Sequence, residues 1–188
     1  MNVKQRAARR NKMEDRAAQY REELWSEVNE EDLWHRTEHG WVVSPRTMPL
    51  IINIIDAMTK EASAGYTFFC LWSRSLAEQV VEISTPLELA TEAGFSGGRS
   101  VYTWRKRMKS LEELGFIKCS KGTHDYQFVL LLNPHRVIKK LKARIQKENP
   151  SLYAQILKRG MEMGSKDFLK DEKDEKDKKG TGAKKKGN

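Results

Sequence analysis

STPLELATEAGFSGGRSVYTWRKRMKSLEELGF, residues 84–116, is the stretch on which the reading of the fold turns. Thr85 stands before Pro86 and three residues before Glu88, which supplies an N-cap, a first-turn proline and the acid of a capping box. A helix is expected to open here, with Leu89, Ala90 and Ala93 on its inner side. It should stop at Gly94, because glycine turns through positive φ without a Cβ clash. After FSGG a second helix is expected from about Arg99 to Leu114. Val101, Trp104, Met108 and Leu111 recur on one side of it and should face a core. The opposite side presents Arg99, Tyr102, Thr103, Lys106 and Ser110, flanked by Arg105, Arg107 and Lys109, a cationic surface rich in hydrogen-bond donors.

Working outward, LEELGFIKCSKGTHDYQFVLLLNP (111–134) reads as a helix end followed by two strands. Phe116, Ile117 and Cys119 belong to the first strand and Tyr126 to Leu132 to the second. The polar KGTHD between them forms a hairpin tip. Upstream, VVEIS is short and β-branched, a small strand. YTFFCLWSRSLAEQ is apolar almost all round in its first half; a buried helix and a core strand both fit, and helix is the reading taken. Leu50, Ile51, Ile54, Ile55 and Met58 mark a first core helix entered through Pro49. Asp32 to Pro49, rich in aromatic residues, His, Gly and Pro, reads as a structured loop.

Downstream, HRVIKKLKARIQKE reads as one helix, and Asn149 with Pro150 opens another carrying Leu152, Ile156 and Leu157. At the N-terminus Met13, Ala17, Tyr20, Leu24 and Val28 form a thin helical stripe that must dock, pair with a second copy or fray. The first dozen residues carry five Lys or Arg and no acid, as a phosphate-touching arm or a solvated helix end would. From Lys166 onward the chain is nearly all charge and glycine and should be disordered. The expected division is 1–44, a charged helix and loop; 45–148, the main domain; 149–165, a C-terminal helix; and 166–188, the tail.

Ala90 followed four residues later by Gly94, then Val101 and Trp104 three apart, resembles the helix-turn-helix signature, although the turn FSGGR is roughly one residue longer than the usual form. With LATEAGF, TWRKRMKSLEELGFI and FFCLWSRS, residues 45–148 resemble winged helix-turn-helix proteins of bacterial plasmids and other mobile elements, including the N-terminal parts of some replication initiators. The resemblance implies a mostly α fold with a small β-wing, here with an N-terminal helical arm and C-terminal helices. It also implies sequence-preferring binding of double-stranded DNA, as a transcriptional regulator or a replication or maintenance factor. The second helix suits the major groove, where Arg, Lys, Thr and Tyr meet base edges or phosphates. Arg99, Thr103 and Lys106 are then expected near bases, Arg107 and Lys109 at phosphate, and Ser100 and Tyr102 beside them. Lys118, Lys121 and His124 on the wing are expected at the minor groove or backbone. The N-terminal or C-terminal helices would form a homodimer suited to a symmetric site, or the C-terminal ones would cover the back of the sheet.

Charge agrees with a polyanionic partner. The net charge is +9, and residues 99–148 alone carry 13 Lys or Arg against 4 Asp or Glu. Cys70 and Cys119 lack motif spacing and read as apolar packing residues in a reducing compartment. No apolar run approaches a bilayer span and no secretory leader is evident, so a cytoplasmic, nucleoid- or plasmid-associated protein is expected. His35-Arg36-Thr37-Glu38-His39 matches the H-x-x-E-H pattern of inverted zinc peptidases. Gly40 follows at once, however, and no long apolar helix flanks it, so no metal, cofactor or enzyme activity is expected. The rival functions are a protein-docking winged helix in a replication or secretion complex, and RNA binding, for which Tyr102 alone would offer a stacking surface.

Overall fold

Ile51, Ile54, Ile55 and Met58 share one side of an α-helical wheel, and in the computed structural model they are the buried side of α2 (Met48–Met58). The structure describes residues 3–29, 32–33, 40–75, 78–165 and 168. Two compact units result, one up to Val42 and one from Val43 onward. In the first, α1 (Val3–Leu24) is a single helix closed by Arg21, whose guanidinium donates to the carbonyls of Trp25 and Val28. Tyr20, Leu24 and Trp25 on and just after it are exposed.

The second unit begins with α2, against which α3 (Gly65–Arg74) packs. Their approach is so close at Gly65 that a Cβ there would lie 2.5 Å from the Ile52 carbonyl oxygen, while the Gly65 N–H donates to Asp56 at 2.7 Å. The apolar run of α3 is therefore helical, with Phe68 and Leu71 buried and Phe68 edge-on to Phe116. Then follow β1 (Val80–Glu82), α4 (Pro86–Glu92), α5 (Ser100–Leu114), β2 (Ile117–Ser120) and β3 (Phe128–Leu131). The three strands form an antiparallel sheet in the order β1-β3-β2. Val81, Val129 and Cys119 are in register across it, the first two fully buried and Cys119 half-buried, while Val80, Leu130 and Lys118 form the next, outward row. The described residues are thus mostly helical, with one small sheet.

Several expectations change. The single helix expected after Pro134 is two, α6 (Pro134–Lys140) and α7 (Lys142–Glu148), interrupted at Leu141. Thr85 makes no side-chain cap, and Glu88 lies 3.8 Å from Arg74 instead of closing a capping box. The segment 149–165 does not stand apart from 45–148: α8 (Pro150–Glu162) buries Tyr153 and Ile156 in the same core, beside α2 and α7. Its apolar side is spent within its own unit. Phe168, placed in the expected disordered tail, is fully buried, 4.8 Å from the His135 ring and tight against Gly160. The rest of the tail, residues 166–167 and 169–188, lies outside the described residues.

A buried aromatic ring of this kind contributes about 3–5 kcal/mol relative to alanine. Phe168→Ala is therefore expected to lower unfolding free energy by about that amount in urea titration of the full chain. A loss below about 1 kcal/mol would contradict the packing.

Candidate nucleic-acid interface

Two helices and a tight turn set the candidate surface. Leu89 and Ala90 hold α4 to the core, and the turn closes when the Phe95 N–H donates to the Ala90 carbonyl at 2.9 Å. Gly94 at φ 82° and Gly97 at φ 78° take left-handed conformations that side chains resist. A clamp fastens α4 to α3: the Arg74 Nε donates to the Glu92 carboxylate at 2.8 Å. Trp104, Met108 and Leu111 on α5 are fully buried, and the Trp104 ring meets Tyr126 edge-on at 5.8 Å. Helical geometry then turns residues 102, 105, 106 and 109 outward.

The outward side is cationic where the sequence placed it, with two exceptions. Arg99, Tyr102, Arg105, Lys106 and Lys109 are exposed, Tyr102 by 60%, and Thr103 is half-buried on the flank. The Lys106 ammonium lies 4.8 Å from the centroid of the Tyr102 ring, so the two side chains form one unit. Lys109 pairs with Glu113 at 3.8 Å, an exposed pair worth little. Ser100, expected at the surface, is buried at 4% exposure: it lies four residues before Trp104, on the same inward stripe, and the helix begins at it with Arg99 as its cap. Arg107 is half-buried, its guanidinium 5.4 Å from the centroid of the Phe95 ring, and its Nε is buried without a hydrogen-bond partner. It packs on the turn more than it faces outward. Arg105, expected only on the flank, is the exposed cation that the sequence reading undervalued.

The β2–β3 hairpin supplies the second part. Lys118 is exposed on the outer face of the sheet, and Lys121 stands at the tip, 3.8 Å from Asp125, both strongly exposed. His124 does not join them. Its Nδ1 accepts the Tyr126 N–H at 3.3 Å, which leaves Nε2 to donate to the Ile83 carbonyl at 2.7 Å. Nε2 thus ties the hairpin tip to the residue after β1, and Nδ1 holds the tip itself. Cys119 is similarly structural: its N–H donates to Glu112 at 3.1 Å, joining the end of α5 to β2.

Among the described residues no group of three or more His, Cys, Asp or Glu could hold a metal ion, and no helix is long and apolar enough to cross a membrane. His35 and His39 lie outside the described residues. A cavity of about 500 Å³ opens between Val43, Pro45, Trp72, Leu131 and Pro134, and no α5 residue lines it. No protein family, curated protein or solved structure matches the chain.

Burial pushes the Cys70 thiol up to about 11 and, with the Glu112 carboxylate beside it, the Cys119 thiol up to about 12. In the unfolded chain a thiol ionises near 8.5. Below about pH 8.5 both states keep the proton and the thiols' contribution is whole; above it, thiolate formation favours the unfolded chain and stability falls. Between pH 8 and pH 10 the urea midpoint of the native sequence is expected to drop further than that of the variant carrying Cys70→Ala and Cys119→Ala. Equal drops would contradict the burial of these thiols.

Proposed function

We propose that residues 45–148 form a winged helix-turn-helix that binds double-stranded DNA with sequence preference, as a transcriptional regulator or as a replication or maintenance factor of a plasmid or other mobile element. One observation carries this reading. The outward side of α5 is cationic along its N-terminal two-thirds, at Arg99, Arg105, Lys106 and Lys109, while its acids, Glu112 and Glu113, stand at the C-terminal end. An α-helix presented in this way fits the major groove, which is about 12 Å wide. The order α3-β1-α4-α5-β2-β3, with a short strand before the helix pair and a polar-tipped hairpin after it, supports the winged form.

With Ser100 and His124 engaged internally, the contacts fall to fewer groups. Arg99 and Lys106, with Tyr102 beneath it, meet base edges; Thr103 lies at the margin; Lys109, Lys118 and Lys121 meet phosphates. Phosphate contacts hold register and base contacts select sequence.

Arg99→Ala combined with Lys106→Ala is expected to weaken binding to a site selected from random duplex DNA by about 1–3 kcal/mol for each base contact removed. Unchanged affinity would remove α5 as the reading helix. Lys121→Ala should weaken all duplexes alike and flatten the dependence of log affinity on log salt by about one unit. A sequence-selective loss would contradict a phosphate role for the hairpin tip.

A further inference from the structure

The charge excess is greatest away from α5. Between Arg99 and Leu114 five cations stand against two acids, whereas between Pro134 and Glu148 six cations stand against Glu148 alone. Arg136, Lys140, Arg144 and Lys147 follow at spacings of four, four and three, and all four are exposed; Val137, Ile138 and Ile145 on the other side are buried. At about 1.5 Å of rise per residue this line is about 16 Å long. Phosphates of one DNA strand advance about 3.4 Å each, so such a line reaches several. Like charges at a spacing of four repel one another, and a row of phosphates relieves that repulsion.

The place of this line separates it from the surface described above. Leu131, after which the chain enters α6, pairs with Ile117, whereas Phe128 beside the hairpin tip pairs with Ser120. The line therefore starts at the end of the sheet away from the tip. Arg144 then fixes α7 beside the end of α2 by donating to the Met58 carbonyl at 3.2 Å, and Glu148 is held between Arg144 at 3.0 Å and Lys60 at 3.2 Å. We propose that α6–α7 is a second phosphate-binding surface, which holds another segment of duplex DNA while α5 holds the first. The proposal rests on the reading above both in taking duplex DNA as the ligand and in placing the first duplex on α5.

The test loads the full-length protein onto an immobilised duplex, then measures capture of a second, labelled duplex of unrelated sequence. The native protein is expected to capture it, with affinity falling as salt rises. Changing Arg136, Lys140 and Lys147 together to Gln should reduce capture roughly tenfold or more and remove about 2.7 from its salt slope, for three lost phosphate contacts. Binding to the first duplex and the thermal midpoint should be unchanged. The Lys140→Arg, Lys147→Arg variant should capture normally, and Lys147→Gln alone should lose part of the capture, which guards against a folding effect in the triple variant. Failure of the native protein to capture a second duplex would overturn the proposal, as would undiminished capture by the triple variant, the result expected if two copies bridge through α5. An error in the α5 reading alone has a different signature: Arg99→Ala with Lys106→Ala then leaves loading on the immobilised duplex intact, and the triple variant loses that loading itself.

Discussion

Burial of one side of α5 governs the rest of the molecule. Trp104, Met108 and Leu111 are fully withdrawn from water, with Trp104 wedged edge-on against Tyr126 from the hairpin. Each such side chain contributes about 1.5–3 kcal/mol by leaving water, so rotating the helix about its axis would forfeit several of them at once. The opposite side is thereby fixed toward solvent, and with it the row that includes Tyr102, Lys106 and Lys109. The β2–β3 hairpin is held by the same constraint: Tyr126 packs on Trp104, and Glu112 accepts the Cys119 N–H.

Electrostatics follows from that geometry. The ion pairs on these surfaces, Lys109 with Glu113 and Lys121 with Asp125, are exposed and weak, and they yield readily to a stronger anion. The polar contacts between elements differ in kind. Arg74 with Glu92, Arg107 over Phe95 and His124 on the Ile83 carbonyl join elements to one another and set the helix pair and hairpin in place. Cations that hold the fold and cations that face outward are thus largely separate sets, with Arg144 in both, and the outward set extends along α6–α7 beyond the α4–α5 pair.

Much of this was legible in the sequence. The order of elements from Leu50 to Leu131 followed from apolar spacing, the breaks at Gly94 and Gly115, and the polar stretch 121–125. The core side of α5 followed from Trp104, Met108 and Leu111. Ser100 was misread because a serine looks like surface, although its phase with Trp104 places it inward. His124 could not be read, since its partner Ile83 is 41 residues away. Phe168 was hidden among charged neighbours, because its pocket is formed by Gly160, on α8, and by His135, 33 residues away. The break at Leu141 carries no glycine or proline to announce it.

The central claim is that the outward side of α5 meets a duplex groove. It is tested most directly by placing a photo-reactive residue at position 102 or 106 of the full chain and mapping its adducts on duplex DNA. The account predicts base adducts from both positions, clustered at one sequence, and none from a control at position 91 on α4, where Thr91 is exposed. Adducts from position 91 with none from 102 and 106, or no adducts from any position on a duplex that binds, would contradict it.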